Sequence, residues 1–178
     1  MSWTAPSTWV AGNVLTAAQL NAQVRDNMLQ TAPALATSAG GQIFVATGTN
    51  AIAARLCATA TVLTAETTAS TTYADLATPG PAVTCTTGTQ AIVIVTAQNE
   101  VNAAVQSYSA YAVSGATTIA ASDDHSFAVS SPASGQPGRG AIVEMPTLTA
   151  GSNTFTVKYR TTSGTATFRR RTIIVIPL

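Results

Sequence analysis

The sequence predicts a mainly β protein: an antiparallel, jelly-roll-like β-sandwich head preceded by a short N-terminal α-helical arm. From Thr61 onward, short runs rich in Thr, Val, Ile and Tyr are separated at regular intervals by turn residues, the pattern of strands in a sandwich. Before Thr61 the period changes, and a single capped helical segment stands apart. Of 178 residues, 46% are hydrophobic and only 8% charged, with 34 Ala and 31 Thr. Disorder needs low hydrophobicity and high net charge, and both are missing.

Residues 1–35 form the arm. Thr16-Ala17-Ala18-Gln19 fits a capping box, in which the Thr hydroxyl accepts the Gln amide and the Gln side chain reaches back, so a helix is expected over 16–30. Leu20, Val24 and Met28 recur at i+4 and make a narrow apolar stripe, with Arg25 and Asp26 on other faces. A stripe this thin does not hold a helix in water, so the helix must dock on something. Trp3 and Trp9, the two tryptophans of the chain, precede it. They either fold back over the stripe or anchor the arm in a partner, which makes Trp3, Trp9, Leu20, Val24 and Met28 the candidate attachment residues. Ala32-Pro33 and Ser38-Ala39-Gly40-Gly41 end the helix. Residues 36–60 then read as a short stem: a strand, a turn at Gly48 to Asn50, and a second strand, too small to own a core.

The head, residues 61–178, is expected to contain strands at Thr61–Thr67, Thr71–Ala77, Val83–Thr86, Ala91–Gln98, Val105–Val113, Thr117–Ala121, Ser126–Val129, Gly140–Pro146, Thr154–Arg160, Thr165–Arg169 and Thr172–Ile176. Two of them do not alternate. Ala91-Ile92-Val93-Ile94-Val95 and Ile173-Ile174-Val175-Ile176 are apolar on both faces, whereas a two-layer sandwich buries one face of each sheet. Ile92, Ile94, Ile174 and Ile176 therefore need a second cover. A symmetric copy of the chain is the economical candidate, and a loop or the arm is the competing one.

Little chemistry competes with this reading. Eight basic and seven acidic residues give a net charge of +1, which supplies no field for nucleic acid. Polar residues interrupt every apolar run well short of the roughly 18 to 20 residues that span a bilayer, and the N-terminus lacks a signal-peptide pattern. Cys57 and Cys85 have no motif spacing and are expected as thiols. Nucleophile elbows, phosphate-binding loops, paired metal-ligand motifs and cofactor fingerprints are missing from the sequence. No cofactor, no metal and no catalytic residue is expected, and the chain reads as a non-enzyme. The single histidine lies in Ser122-Asp123-Asp124-His125-Ser126, either a solvated loop or, through Asp123, Asp124 and His125, a ligand loop. Glu66, Asp75, Glu100 and Glu144 are too scattered for paired-carboxylate hydrolysis. Gly135-Gln136-Pro137-Gly138-Arg139-Gly140 reads as a hairpin loop. Arg169-Arg170-Arg171 reads as stems packed across the sheet with solvated heads, or as part of an anion-binding ring formed by symmetric copies. Tyr108 and Tyr111, at an odd offset, face opposite sides of their strand.

Three segments carry a resemblance. Trp9-Val10-Ala11-Gly12-Asn13-Val14-Leu15-Thr16-Ala17-Ala18-Gln19-Leu20-Asn21 with Val24-Arg25-Asp26-Asn27 resembles the N-terminal segment of virion proteins of tailed bacteriophages. Gly41 to Leu56 is similar to one shaft repeat of phage tail fibres. Tyr73-Ala74-Asp75-Leu76 with Pro79 to Val83, and Leu148 to Phe155 with Lys158-Tyr159-Arg160, resemble the β-sandwich heads of such proteins. The resemblance implies a homotrimeric virion structural protein on the exterior of the capsid or tail, its arm bound to major capsid or tail proteins. With one shaft repeat, a short spike, head fibre or decoration protein is implied before a long tail fibre. The alternative is a receptor-binding adhesin whose loops around Asp123 to His125 and Pro132 to Gly140 take a host-surface glycan.

Overall fold

The computed structural model describes residues 4–5, 7–29, 31, 40–49, 51–101, 105–130 and 137–178. They form two compact units, Met1–Leu56 and Cys57–Leu178.

In the first unit, α1 (Ala17–Leu20) begins at the expected capping box, with Gln19 N donating to Thr16 Oγ1 at 3.2 Å and Thr16 N donating to Gln19 Oε1 at 2.9 Å. It widens into a π-helical segment over Asn21–Asp26 before one more α-helical step, so the uniform α-helix expected over 16–30 is replaced by two geometries in succession. The carbonyl of Gln23 accepts the side-chain amide of Asn27 at 3.2 Å, a local bond that competes with the regular ladder. The N-terminal backbone runs back along this face. Thr4 N donates to Asn27 Oδ1 at 2.9 Å and Asn27 Nδ2 returns to Thr4 O at 3.1 Å, while Ser7 N and Ala5 O bracket the Gln23 amide. Two amides one helical turn apart thus clamp an extended strap. The stem is a hairpin of β1 (Gln42–Gly48) and β2 (Ala51–Leu56), in register from Gln42↔Leu56 to Gly48↔Ala51.

The second unit contains β3 (Ala58–Val62), β4 (Glu66–Thr68), β5 (Ala82–Thr87), β6 (Ala91–Val101), β7 (Gln106–Gly115), β8 (Ser126–Ser130), β9 (Pro137–Glu144), β10 (Gly151–Thr161) and β11 (Ala166–Pro177). One sheet has the order β5-β10-β7-β8 and the other β3-β11-β6-β9, with β4 added beside β11. All pairings are antiparallel, and the longest neighbours, such as β11 with β6 and β10 with β7, are far apart in sequence. This is a jelly-roll-like sandwich. Between its layers lie Val93, Val95, Tyr111, Phe155, Val157, Tyr159, Phe168, Ile173 and Val175, all fully buried.

Several element boundaries differ from expectation. Ala58 to Ala60, assigned to the stem, pair with β11 and belong to the head. Thr71–Ala77 makes only an isolated bridge at Ala74, because the Ser70 hydroxyl captures the amide and carbonyl of Thr72. Thr117–Ala121 likewise keeps one bridge at Ile119, since Thr117 N is taken by Asn153 Oδ1 at 2.8 Å. The glycine-rich run is no hairpin loop from Pro137 onward. Gly138 and Gly140 sit on the inner face of β9, where a Cβ would strike Val129 and Phe127 respectively, so these glycines serve packing and not turning. The two final expected strands are one, interrupted by a bulge at Arg170, whose φ is 50°.

Candidate functional site

The outer face of the five-stranded sheet gathers the residues that the sequence singled out for self-association. Alternation along β6 and β11 sends Val93, Val95, Ile173 and Val175 inward and Ile92, Ile94, Ile174 and Ile176 outward, where they remain half-buried. Register aligns them: Ile174 opposes Ile94, and Ile176 opposes Ile92. On the next strand Val143 opposes Ile94 and is 64% exposed, and Met145 beyond it is 54% exposed. The result is an apolar area across three strands over which no described residue of the sandwich forms a second layer.

Next to it the face changes character. Thr61, Thr172, Thr96 and Ala141 form a row across four strands, with Thr61 and Thr172 hydroxyls 3.0 Å apart. This row floors a groove of ≈ 520 Å³, walled by Leu63 and by the side chains of Arg139 and Arg170.

The bulge sorts the three consecutive arginines into three environments. Arg169 turns outward and pairs with Glu100 on β6. Arg170 is exposed at the groove. Arg171 turns inward and is fully buried, donating to Glu66 at 3.0 Å and, over longer contacts, to the carbonyls of Thr64, Thr78 and Gly80, with its guanidinium 5.3 Å from the Tyr159 ring centroid. The expectation of three solvated heads therefore fails at Arg171: a bulge shifts the alternation by one residue, which a sequence period does not reveal. Glu66 is held below the usual carboxylate range by the Thr78 hydroxyl and also by Arg171. Burial pushes the Tyr159 phenol up, and its hydroxyl donates to Gly80 O at 2.8 Å.

The Asp123–His125 segment is a 3₁₀ turn anchored on both sides of Asp124. Asp123 receives Arg160 in bidentate fashion, from Nε to Oδ1 at 3.0 Å and from Nη2 to Oδ2 at 2.6 Å, and the Tyr73 hydroxyl at 2.8 Å. Arg160 and then Tyr73 depress the Asp123 pKa, and Arg160 also lies 3.9 Å over the Tyr108 ring. His125, donating through Nδ1, sits 2.8 Å from Glu144 Oε2, an oxygen that also accepts the Tyr111 hydroxyl at 2.7 Å. Burial and, after it, Glu144 push the Tyr111 phenol up. Asp123 and His125 thus tie the turn to the sandwich through their own side chains, and of the three only Asp124 is exposed without a partner. Tyr108 and Tyr111 do take opposite sides of β7, outward and fully buried.

In the arm, Leu20, Val24 and Met28 are exposed, and Trp9 is 44% exposed. The stripe is thus left open to solvent, while the backbone of Thr4, Ala5 and Ser7 folds back onto the helix. Trp3 lies outside the described residues. Cys57 and Cys85 are half-buried thiols. Among the described residues no three His, Cys, Asp or Glu side chains are grouped as metal ligands, and no helix is long and apolar enough to cross a membrane.

No family model matches the chain, and neither does any curated protein. Among solved structures it is similar to the one described as the structure of Eiger TNF from S. frugiperda, with a TM-score of 0.50 and 14% identity over 70% of this chain and 92% of that chain. The head's fold is a jelly-roll β-sandwich. At this identity the likeness reaches no further than the fold. Among the described residues of the head, the isoleucine area, the groove and the Asp124 carboxylate face outward on the jelly roll; in the other unit the apolar stripe of the arm is exposed.

Proposed function

We propose that the chain is a non-enzymatic structural protein of a tailed-bacteriophage virion, a short homotrimeric spike, fibre or decoration subunit on the exterior of the capsid or tail. The observation that carries this reading is the uncovered apolar face made by Ile92, Ile94, Ile174 and Ile176 with Val143 and Met145. A sheet with β-branched apolar residues on both sides gains most when a second layer covers the outer one, and copies of the same chain supply it without another gene product. The exposed Leu20, Val24 and Met28 stripe with Trp9 gives the arm its own docking surface, directed at major capsid or tail proteins. The order of arm, one stem hairpin and β head matches the resemblance of the sequence to phage virion proteins.

Light scattering on purified protein is expected to give a mass near three copies of the 18.0 kDa chain, about 54 kDa. A monomer at micromolar concentration would remove the self-association reading. Deleting residues 1–30 is expected to leave a folded head and abolish incorporation into particles; persistent incorporation would assign attachment to the head. Glycan adhesion through the Asp123–His125 turn has less support, because two of its three side chains are engaged internally.

A further inference from the structure

Charge pairing in the head leaves a complementary set over. Six of the seven acids in the chain form ion pairs, and Asp124 is the seventh. Among the eight basic side chains, the head's cations without an acidic partner among the described residues are Arg139 and Arg170, and both wall the groove on the outer face of the five-stranded sheet.

Within its own copy Asp124 forms no ion pair with either arginine. Its turn precedes β8, the terminal strand of the other sheet, and is tied through Asp123 to Arg160 on the outer side of that sheet and through His125 to Glu144 on β9. The turn is also pre-ordered. His125 N donates to Ser122 O at 3.2 Å and the Ser126 hydroxyl to Asp123 O at 2.9 Å, and both flanking side chains are held, so the Asp124 carboxylate is presented at small entropic cost.

We propose that Asp124 of one copy enters the groove of the next and pairs with Arg139 and Arg170 over the hydroxyls of Thr61, Thr96 and Thr172. The inference rests on the self-association proposed above and specifies its geometry. In this arrangement the turn of one copy seats on the groove of the next, a heterologous contact, edge onto face, whose successive copies close into the ring that a homotrimer requires. Coulombic pairing sets register and partner, while the neighbouring isoleucine rows supply the apolar burial.

The test uses the full-length chain and three variants: Asp124→Arg, the double variant Arg139→Glu with Arg170→Glu, and the triple combination. Sedimentation across a concentration series reads association, and circular dichroism with thermal melting confirms that each variant folds. Asp124→Arg and the double variant are expected to raise the midpoint concentration for assembly by about tenfold or more, and the triple variant to restore it. Association of the wild type that is unchanged in the first two variants, or not restored in the third, overturns the Asp124 contact while leaving self-association through the isoleucine face intact. A wild type that stays monomeric throughout overturns both.

Discussion

The two faces of the five-stranded sheet are built from the same residue types on the same strands and meet opposite fates. Ile173 and Val175 on β11, and Val93 and Val95 on β6, point inward and lose all contact with water. One residue along, Ile174, Ile176, Ile92 and Ile94 point outward and remain half-buried. β-Branched residues stabilise a strand on either face, so strand formation does not distinguish them. What differs is the cover. The inner face is closed by Tyr111, Phe155, Val157 and Tyr159 from the second sheet, whereas no described residue of the head forms a second layer over the outer face. An apolar run without alternation thus says that the strand forms, and the proposed self-association is what would give its outer side a cover.

The largest effect should come from the inner side. Arg171→Ala removes a fully buried guanidinium and strands Glu66 and three carbonyls, so a loss of about 3 to 5 kcal/mol is expected by chemical denaturation. Arg170→Ala, one position earlier and exposed, should change stability by no more than about 0.5 kcal/mol. Equal effects at the two positions would mean that the bulge does not sort the arginines as described.

A smaller contrast separates adjacent isoleucines. Ile173→Ala should cost about 2 to 5 kcal/mol through lost burial and a residual cavity. Ile174→Ala, measured on dilute monomer, should cost less, about 1 to 2 kcal/mol, because part of its surface stays in water in the folded head and no enclosed cavity is left. Its main effect should be on assembly: wild-type melting temperature is expected to rise with concentration, and this dependence to weaken in Ile174→Ala. If both variants melt alike and independently of concentration, the outer face is not an interface.

Much of this contrast was legible in the sequence, because a period of two and turn residues are local properties. The capping box at Thr16, the stem hairpin and the non-alternating strands at Ile92 to Ile94 and Ile173 to Ile176 all follow from neighbours in the chain. What was not legible depends on residues distant in sequence. Gly138 and Gly140 look like turn formers until β8 is laid over them. Thr71–Ala77 and Thr117–Ala121 have strand composition, yet side-chain hydroxyls and the Asn153 amide take the backbone groups a ladder would use. The groove with Arg139 and Arg170 exists only through the β6–β9 register and a one-residue bulge, and the anchoring of Asp123 and His125 only through Arg160 and Glu144 on other strands.

The smallest predicted effect compares two carboxylates whose pKa values are both depressed. Glu66 is mostly enclosed, with its side chain 12% exposed, and is bonded to Thr78 and Arg171; Asp123 is 60% exposed and bonded to Arg160 and Tyr73. A carboxylate whose folded pKa lies below its unfolded value of about 4 binds its proton more readily in the unfolded chain. Its contribution is complete above that unfolded pKa and fades as pH falls through the folded one. Stability should therefore be flat at neutral pH and decline in the acid range. Glu66→Gln should flatten more of this decline than Asp123→Asn, because solvent screens the exposed pair. Added salt separates them further: screening should reduce the Asp123 share while leaving the Glu66 share nearly unchanged. Denaturation curves collected between neutral and acid pH, at low and high ionic strength, measure both shares. An Asp123→Asn effect equal to that of Glu66→Gln would show that the turn bearing Asp124 is shielded from solvent as thoroughly as the inner edge of the sandwich.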